Sequence, residues 1–120
     1  MKLIDTKTHG YLDYIMGIFL IASPSLFSLD MKEMQSYVFY ASGATVLVYS
    51  LLTDYEAGLI KIIPMKIHLI LDILSGVLLA SSPWLFDFYH IVYGPHLVLG
   101  LIEIAAALVT RSKTTIEIKA

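Results

Sequence analysis

Cysteine is absent from this chain of 120 residues. That excludes disulfides, thiol redox chemistry and cysteine-ligated metal sites, and with them the thiol oxidoreductases common among small four-helix membrane proteins. Charge is scarce as well, at 15% of residues against 58% hydrophobic, with a mean hydropathy of +0.77. A water-soluble domain of this size needs a charged skin, and the residues to build one are missing. A net charge of −2 gives no footprint for nucleic acid. There is no phosphate-binding loop and no nucleophile beside a base, so an enzyme is not expected.

What the chain does have is a repeat. His9, Asp13, Gly17, Ser23, Pro24, Leu26 and Phe27 return 59 residues later as His68, Asp72, Gly76, Ser82, Pro83, Leu85 and Phe86. Lys2 and Lys7 keep the same register with Lys61 and Lys66. Such self-similarity makes the fold two copies of one unit, about 8–55 and 67–111, in a single domain.

Four apolar segments run over about 10–28, 36–53, 67–87 and 91–110. Each is near the ~20 residues that cross a hydrocarbon core, where only a helix satisfies its own backbone. The expected fold is therefore an all-α membrane protein of four transmembrane helices. The segment 10–28 is not read as a cleaved leader, because Pro24 stands at the small-residue site and the same string recurs mid-chain. Seven of the eight basic residues lie before segment 1, between segments 2 and 3, or after segment 4; the other two loops share Lys32. The positive-inside rule then places both termini and the central loop in the cytoplasm of a prokaryotic inner membrane. Two hairpins of the same orientation are parallel repeats, related by a pseudo-two-fold axis along the membrane normal.

Aromatic residues gather at both ends of the segments, including Phe27, Tyr40, Trp84 and Tyr93 outside and Tyr11, Tyr14, Tyr49 and Tyr55 inside, as interfacial belts do. The central stretch 58–66 mixes Lys with Leu and Ile and suits the membrane surface. The polar stretch 111–120 reads as a flexible tail.

Ser82-Pro83-Trp84 near the end of segment 3, with a degraded copy at Ser23-Pro24-Ser25, resembles the SPW-repeat family of small integral membrane proteins. The likeness covers about 8–110, and Gly17, Gly43, Gly76 and Gly100 fit its pattern. It implies two-helix membrane repeats and carries no activity, cofactor or catalytic residue. Physically, a proline near a helix end frees a carbonyl one turn earlier, and an adjacent serine can supply the missing hydrogen bond. Trp84 then anchors the helix at head-group depth.

The ionisable residues inside the segments demand more explanation. His9, Asp13 and Gly17 fall at i, i+4 and i+8 on one helix face, as do His68, Asp72 and Gly76. His96, Gly100, Glu103 and Ala107 make a similar stripe in segment 4, and Ser36, Tyr40, Gly43 and Ser50 in segment 2. Small and polar faces are what membrane helices turn toward one another. The candidate polar cluster is His9, Asp13, His68, Asp72 and Glu103, because intramembrane acids are expensive and functional by default.

Three readings of this cluster follow. In the leading one the acids are separately satisfied, Asp13 and Asp72 capping helix starts and pairing with Lys7, Lys66 or Arg111, and the protein has a structural or membrane-organising role. A second brings the two His-Asp pairs together as a two-His, two-carboxylate metal site; the spacing is short enough to arise by chance, so no metal and no cofactor is expected. A third lines a proton or small-solute path, making the chain a small transporter. His96 is expected to bond a neighbouring helix and His90 to be solvated. The expected partners are the lipid bilayer and, through the glycine faces, a second copy of the chain.

Overall fold

The computed structural model describes residues 2–114. Four helices follow one another: α1 Thr6–Leu26, α2 Met34–Leu51, α3 Met65–Leu85 and α4 Gly94–Leu108. They match the four segments in order, and no named strand occurs among the described residues. Their lengths are 21, 18, 21 and 15 residues, so the fourth falls short of the expected 91–110. One helix among the described residues, α3, is by itself long and apolar enough to cross a membrane, and α4 is apolar but shorter.

Each repeat is a tight antiparallel hairpin closed by its glycines. A Cβ on Gly100 would stand 2.5 Å from the Gly76 carbonyl oxygen and from the Ala80 nitrogen, and one on Gly43 2.7 Å from the Gly17 carbonyl oxygen. The four expected packing glycines thus meet in pairs inside the hairpins. They are spent there, and do not form the face on which a second copy would pack. Leu20, Phe39 and Leu79 fill the larger apolar cluster, and Tyr55, Met65, Leu69 and Ala107 the smaller.

The Ser-Pro pairs are buried near the helix ends. Pro83 removes the donor that would serve the Leu79 carbonyl, and the Ser82 hydroxyl takes that carbonyl at 2.7 Å. In the first copy Ser23 reaches back one residue further, to Phe19, at 2.8 Å. The helices continue to Leu26 and Leu85 and then break at Ser28 and Asp87, whose φ values of 54° and 57° are left-handed. Leu29 and Phe88 N–H groups bond back to the Pro24 and Pro83 carbonyls at 2.8 Å. The stop is therefore the same in both copies. Trp84 is half exposed against Tyr93, with ring centroids 5.8 Å apart.

At the opposite end the repeats exchange backbone bonds. Leu3 and Ile4 N–H groups bond the Val109 carbonyl and Arg111 N–H bonds Ile4. Equivalently, Ile62 and Ile63 bond the Leu52 carbonyl and Asp54 bonds Ile63. Each hairpin's second helix is thus tied to the segment leading into the other hairpin's first. The start of the expected tail takes part in this, with Arg111 bonded and Thr114 buried, while residues 115–120 lie outside the described residues.

Candidate metal centre

The stripes at i, i+4 and i+8 do face inward. His9, Asp13, Gly17, His68, Asp72 and Gly76 are all buried, as are His96, Gly100, Glu103 and Ala107. On α2 Ser36, Gly43 and Ser50 are buried, and Tyr40 is replaced in the interior by Phe39.

Between the two hairpins, four side chains converge. One ligand atom from each of His9, Asp13, His68 and Asp72 lies within 4.8 Å of every other. His9 Nε2 stands 3.1 Å from Asp13 and 2.8 Å from Asp72. His68 Nε2 stands 2.9 Å from Asp13 and 3.2 Å from Asp72. The two acids are therefore not separately satisfied by lysine or arginine, which is what the leading sequence reading held. At position 8 of its helix each aspartate lies about 10 Å from the helix start, too deep to cap it. The cap of α1 is Asp5, which accepts from the Thr8 N–H, and α3 starts at Pro64 with no side-chain cap.

The far side of each imidazole fixes the near side. His9 Nδ1 is 2.8 Å from the Thr110 hydroxyl, which itself contacts the Ala106 carbonyl at 2.6 Å. His68 Nδ1 is 2.7 Å from the Thr53 hydroxyl, which contacts the Tyr49 carbonyl at 2.6 Å. A carbonyl can only accept, so each threonine proton points at its carbonyl, and each threonine oxygen must accept from Nδ1–H. In the neutral imidazole Nε2 is then the unprotonated nitrogen, and it faces the two carboxylates. His68 Nε2 is at ion-pair distance from both yet in hydrogen-bond geometry with neither, whereas His9 Nε2 is hydrogen-bonded to Asp72 at 2.8 Å. An outer hydrogen bond that sets the tautomer and aims the ring is the usual support of a metal-ligating histidine.

The carboxylates are held too. The Tyr49 hydroxyl donates to Asp72 at 2.5 Å and the Tyr55 hydroxyl to Asp13 at 2.7 Å. Burial, with the Asp13 charge beside it, pushes the Tyr55 phenol far above its ordinary range, so it stays a donor. Thr53, Thr110, Tyr49 and Tyr55 were missed as site residues in the sequence, the tyrosines being read as belt residues. One signal was available: Gly43 and Thr53 return 57 residues later as Gly100 and Thr110.

Glu103 lies beside the quartet and not in it. It shares a cavity of about 180 Å3 with His9, Asp13 and Asp72, and neither of its carboxyl oxygens is hydrogen-bonded. His96 is elsewhere, stacked on Phe39 with centroids 4.0 Å apart and donating from Nε2 to the Gln35 carbonyl at 2.9 Å. This is the helix-to-helix bond expected of it. His90 is exposed, as expected.

Two neutral imidazoles and two carboxylates carry a charge of −2, which a buried site cannot hold uncompensated. Two protons within the quartet, or a divalent cation among the four donors, would supply the balance. The donor set is the borderline N and O kind that suits zinc and its neighbours.

No curated protein and no solved structure matches the chain. The family model of the SPW repeat domain matches residues 7–110, which takes in both hairpins, both Ser-Pro pairs and the whole quartet. With that match over nearly its full length, the chain belongs to the SPW repeat domain family.

Proposed function

We propose that this chain is a four-span integral membrane protein of two parallel hairpins, and that its His9–Asp13–His68–Asp72 quartet binds one divalent metal ion of the zinc type as a structural clamp. The observation that carries this is the pair of threonine locks, which turn both Nε2 atoms toward both carboxylates. Support for the membrane comes from the inverted surface: Ile15, Ile18, Leu74, Val77, Val98 and Leu101 are more than half exposed, whereas the histidines and aspartates are buried. The helix lengths suit a thin or locally thinned bilayer at α4. The lysine bias supports cytoplasmic termini in an inner membrane.

A tetrahedral ion at about 2.0–2.1 Å from its ligands separates them by about 3.3 Å. The histidine nitrogens stand 2.8–3.2 Å from carboxylate oxygens, on Asp13 from a different oxygen for each ring, and the four donors as a set lie within 4.8 Å of one another, so an ion would push the nearest pairs slightly apart and draw the wider ones in. Four protein ligands leave no position for substrate or water, which is the pattern of a structural site and not a catalytic one. Each hairpin supplies one histidine and one aspartate, so the ion would hold the hairpins together. That keeps the structural role read from the sequence and gives it a chemical basis.

The test is metal binding by purified, chelator-stripped protein in detergent. One Co2+ per chain, with the absorption of a tetrahedral site and displacement by Zn2+, is expected. Asp72→Asn or His9→Gln should abolish it. A folded protein that binds neither ion would leave a quartet of two imidazolium and two carboxylate groups instead. Metal or proton flux in liposomes that is lost in a folded Asp13→Asn, Asp72→Asn variant would move the reading to a transporter.

A further inference from the structure

Two gaps separate the hairpins, and the repeat relates them. One lies between α2 and α3, about 270 Å3, bounded by Thr45, Tyr49, Leu71 and Ser75 among others. The other lies between α1 and α4, about 180 Å3, where the equivalent positions are Ile102, Ala106, Leu12 and Met16.

Their floors differ. In the α2–α3 gap the Tyr49 side chain stands with its hydroxyl on Asp72, between the gap and the quartet. In the α1–α4 gap Ala106 replaces that tyrosine, and Glu103 stands where the first repeat has Val46. This gap therefore reaches His9, Asp13, Asp72 and Glu103. Glu103 is 8% exposed, and neither of its oxygens has a hydrogen-bond partner; the Ser75 hydroxyl lies near enough to influence it but outside bonding geometry. Asp72 and Asp13 accept from Tyr49 and Tyr55, which leaves Glu103 as the one carboxyl lining the gap that accepts no hydrogen bond.

We infer that the α1–α4 gap binds a small lipophilic primary amine, its ammonium head on Glu103 and its apolar body between Leu12, Met16 and Phe19. An ammonium brings three donors to a carboxyl whose oxygens accept no other bond, and the charge-assisted pair is the strong kind of hydrogen bond. Away from the quartet the walls are leucine, isoleucine, methionine and phenylalanine, against which a hydrated ion would have to shed its water. They suit a hydrocarbon body. The size is right for one ring or a short alkyl chain, since an apolar cavity of about 150 Å3 accommodates benzene. From Asp13 to Phe19 the helix rises about 9 Å, the reach of such a group along the groove. The α2–α3 gap, with no acid in its lining, is the built-in comparison.

Met16 lines the site, and its methyl group reports on it. Protein labelled with 13C-methyl methionine, the Met16 signal identified by Met16→Leu, is titrated with benzylamine and with benzyl alcohol as the uncharged match. Benzylamine should give a saturable Met16 shift, at least tenfold tighter than benzyl alcohol, while Met31 and Met34 drift only with bulk partitioning. Glu103→Gln should erase the preference for the amine. Ala106→Tyr, which copies the closed gap, should remove the saturable shift for both, and Ala106→Leu should weaken both without touching the acid. The inference is overturned by no saturable Met16 response to benzylamine, by equal affinity for the alcohol, or by a preference that survives in Glu103→Gln. Should Glu103→Gln fail to fold, a saturable response untouched in folded Ala106→Tyr overturns it equally. Cobalt binding, measured on the same samples, belongs to the quartet and reports its failure separately.

Discussion

His9 Nδ1 and the Thr110 hydroxyl meet at 2.8 Å although 101 residues separate them in the chain. The contact joins the first helix of one repeat to the end of the second helix of the other, and His68 with Thr53 repeats it. It does two things at once, closing the bundle and choosing which histidine nitrogen faces the aspartates.

That double role gives the first expectation. Thr110→Val removes the acceptor for Nδ1–H while keeping the side chain's shape. The ring is then free to flip tautomer, and metal affinity should fall 10- to 100-fold, the usual cost of losing an outer partner. Thr110→Ser retains the oxygen and should stay close to wild type. Competition for Zn2+ against a chromophoric chelator measures both, and Thr53→Val should behave alike.

The hairpin glycines give a ranked series. A Cβ on Gly100 meets backbone atoms at 2.5 Å, which cannot move aside without parting the helices. Gly100→Ala should cost about 1–3 kcal/mol. At Gly17 the close obstacle is the Leu47 side chain, with Cδ2 at 2.5 Å and Cγ at 2.6 Å, and the nearest backbone atom, the Gly43 carbonyl oxygen, is at 3.3 Å; a change of the whole Leu47 rotamer relieves it, so Gly17→Ala should cost less than Gly100→Ala. Gly94→Ala meets nothing within 4 Å and should be close to neutral. Denaturant titration in detergent orders the three.

Much of this was legible in the sequence, for a physical reason. A repeat that preserves His, Asp and Gly at i, i+4 and i+8 fixes one inward face on two helices, and both faces are where the spacing put them. What periodicity cannot supply is the distance between faces. Whether Asp13 meets Asp72 or a lysine depends on how the hairpins cross, and the charge argument alone favoured lysine. Tyr49 and Tyr55 were misread because an aromatic belt and a buried phenol look identical in one dimension; only the bond to Asp72 or Asp13 separates them. The difference between Tyr49 and Ala106 was visible as a break in the repeat, and its meaning appears only when the two gaps are compared.

The start of α1 should respond to acid, and α3 provides the control. The Asp5 carboxyl is held below its ordinary range, chiefly by the Thr8 N–H that it accepts. A carboxyl lowered in the folded state stabilises the fold above its unfolded pKa of about 3.9, and that contribution is lost as pH falls through the folded value. Amide exchange at Thr8 should therefore be slower than in Asp5→Ala at neutral pH, and the two should converge in acid. Asp5→Asn keeps an acceptor that does not titrate, so its protection should not change over that range. At the start of α3, where Pro64 supplies no side-chain cap, acid should have no matching effect.

The absence of cysteine makes the orientation directly measurable, since any thiol in the protein is one that has been introduced. Lys32→Cys sits in the loop between α1 and α2, and Leu59→Cys, at a residue 76% exposed, in the loop between α2 and α3. The two loops lie at opposite ends of the bundle, because α2 alone separates them and spans 18 residues, about 27 Å. In intact cells a membrane-impermeant maleimide should label Lys32→Cys and leave Leu59→Cys unreacted until the cells are opened. Ser112→Cys should follow Leu59→Cys, because Arg111 is bonded to Ile4 as Asp54 is to Ile63, at the same end. Labelling of Leu59→Cys in intact cells would invert the orientation and place the quartet in the outer half of the bilayer. No labelling of any of the three in intact cells, with equal labelling of all three once the cells are opened, would remove the membrane from the account altogether. Retention of the fold in each variant is checked by its cobalt spectrum, which reads the quartet and not the loops.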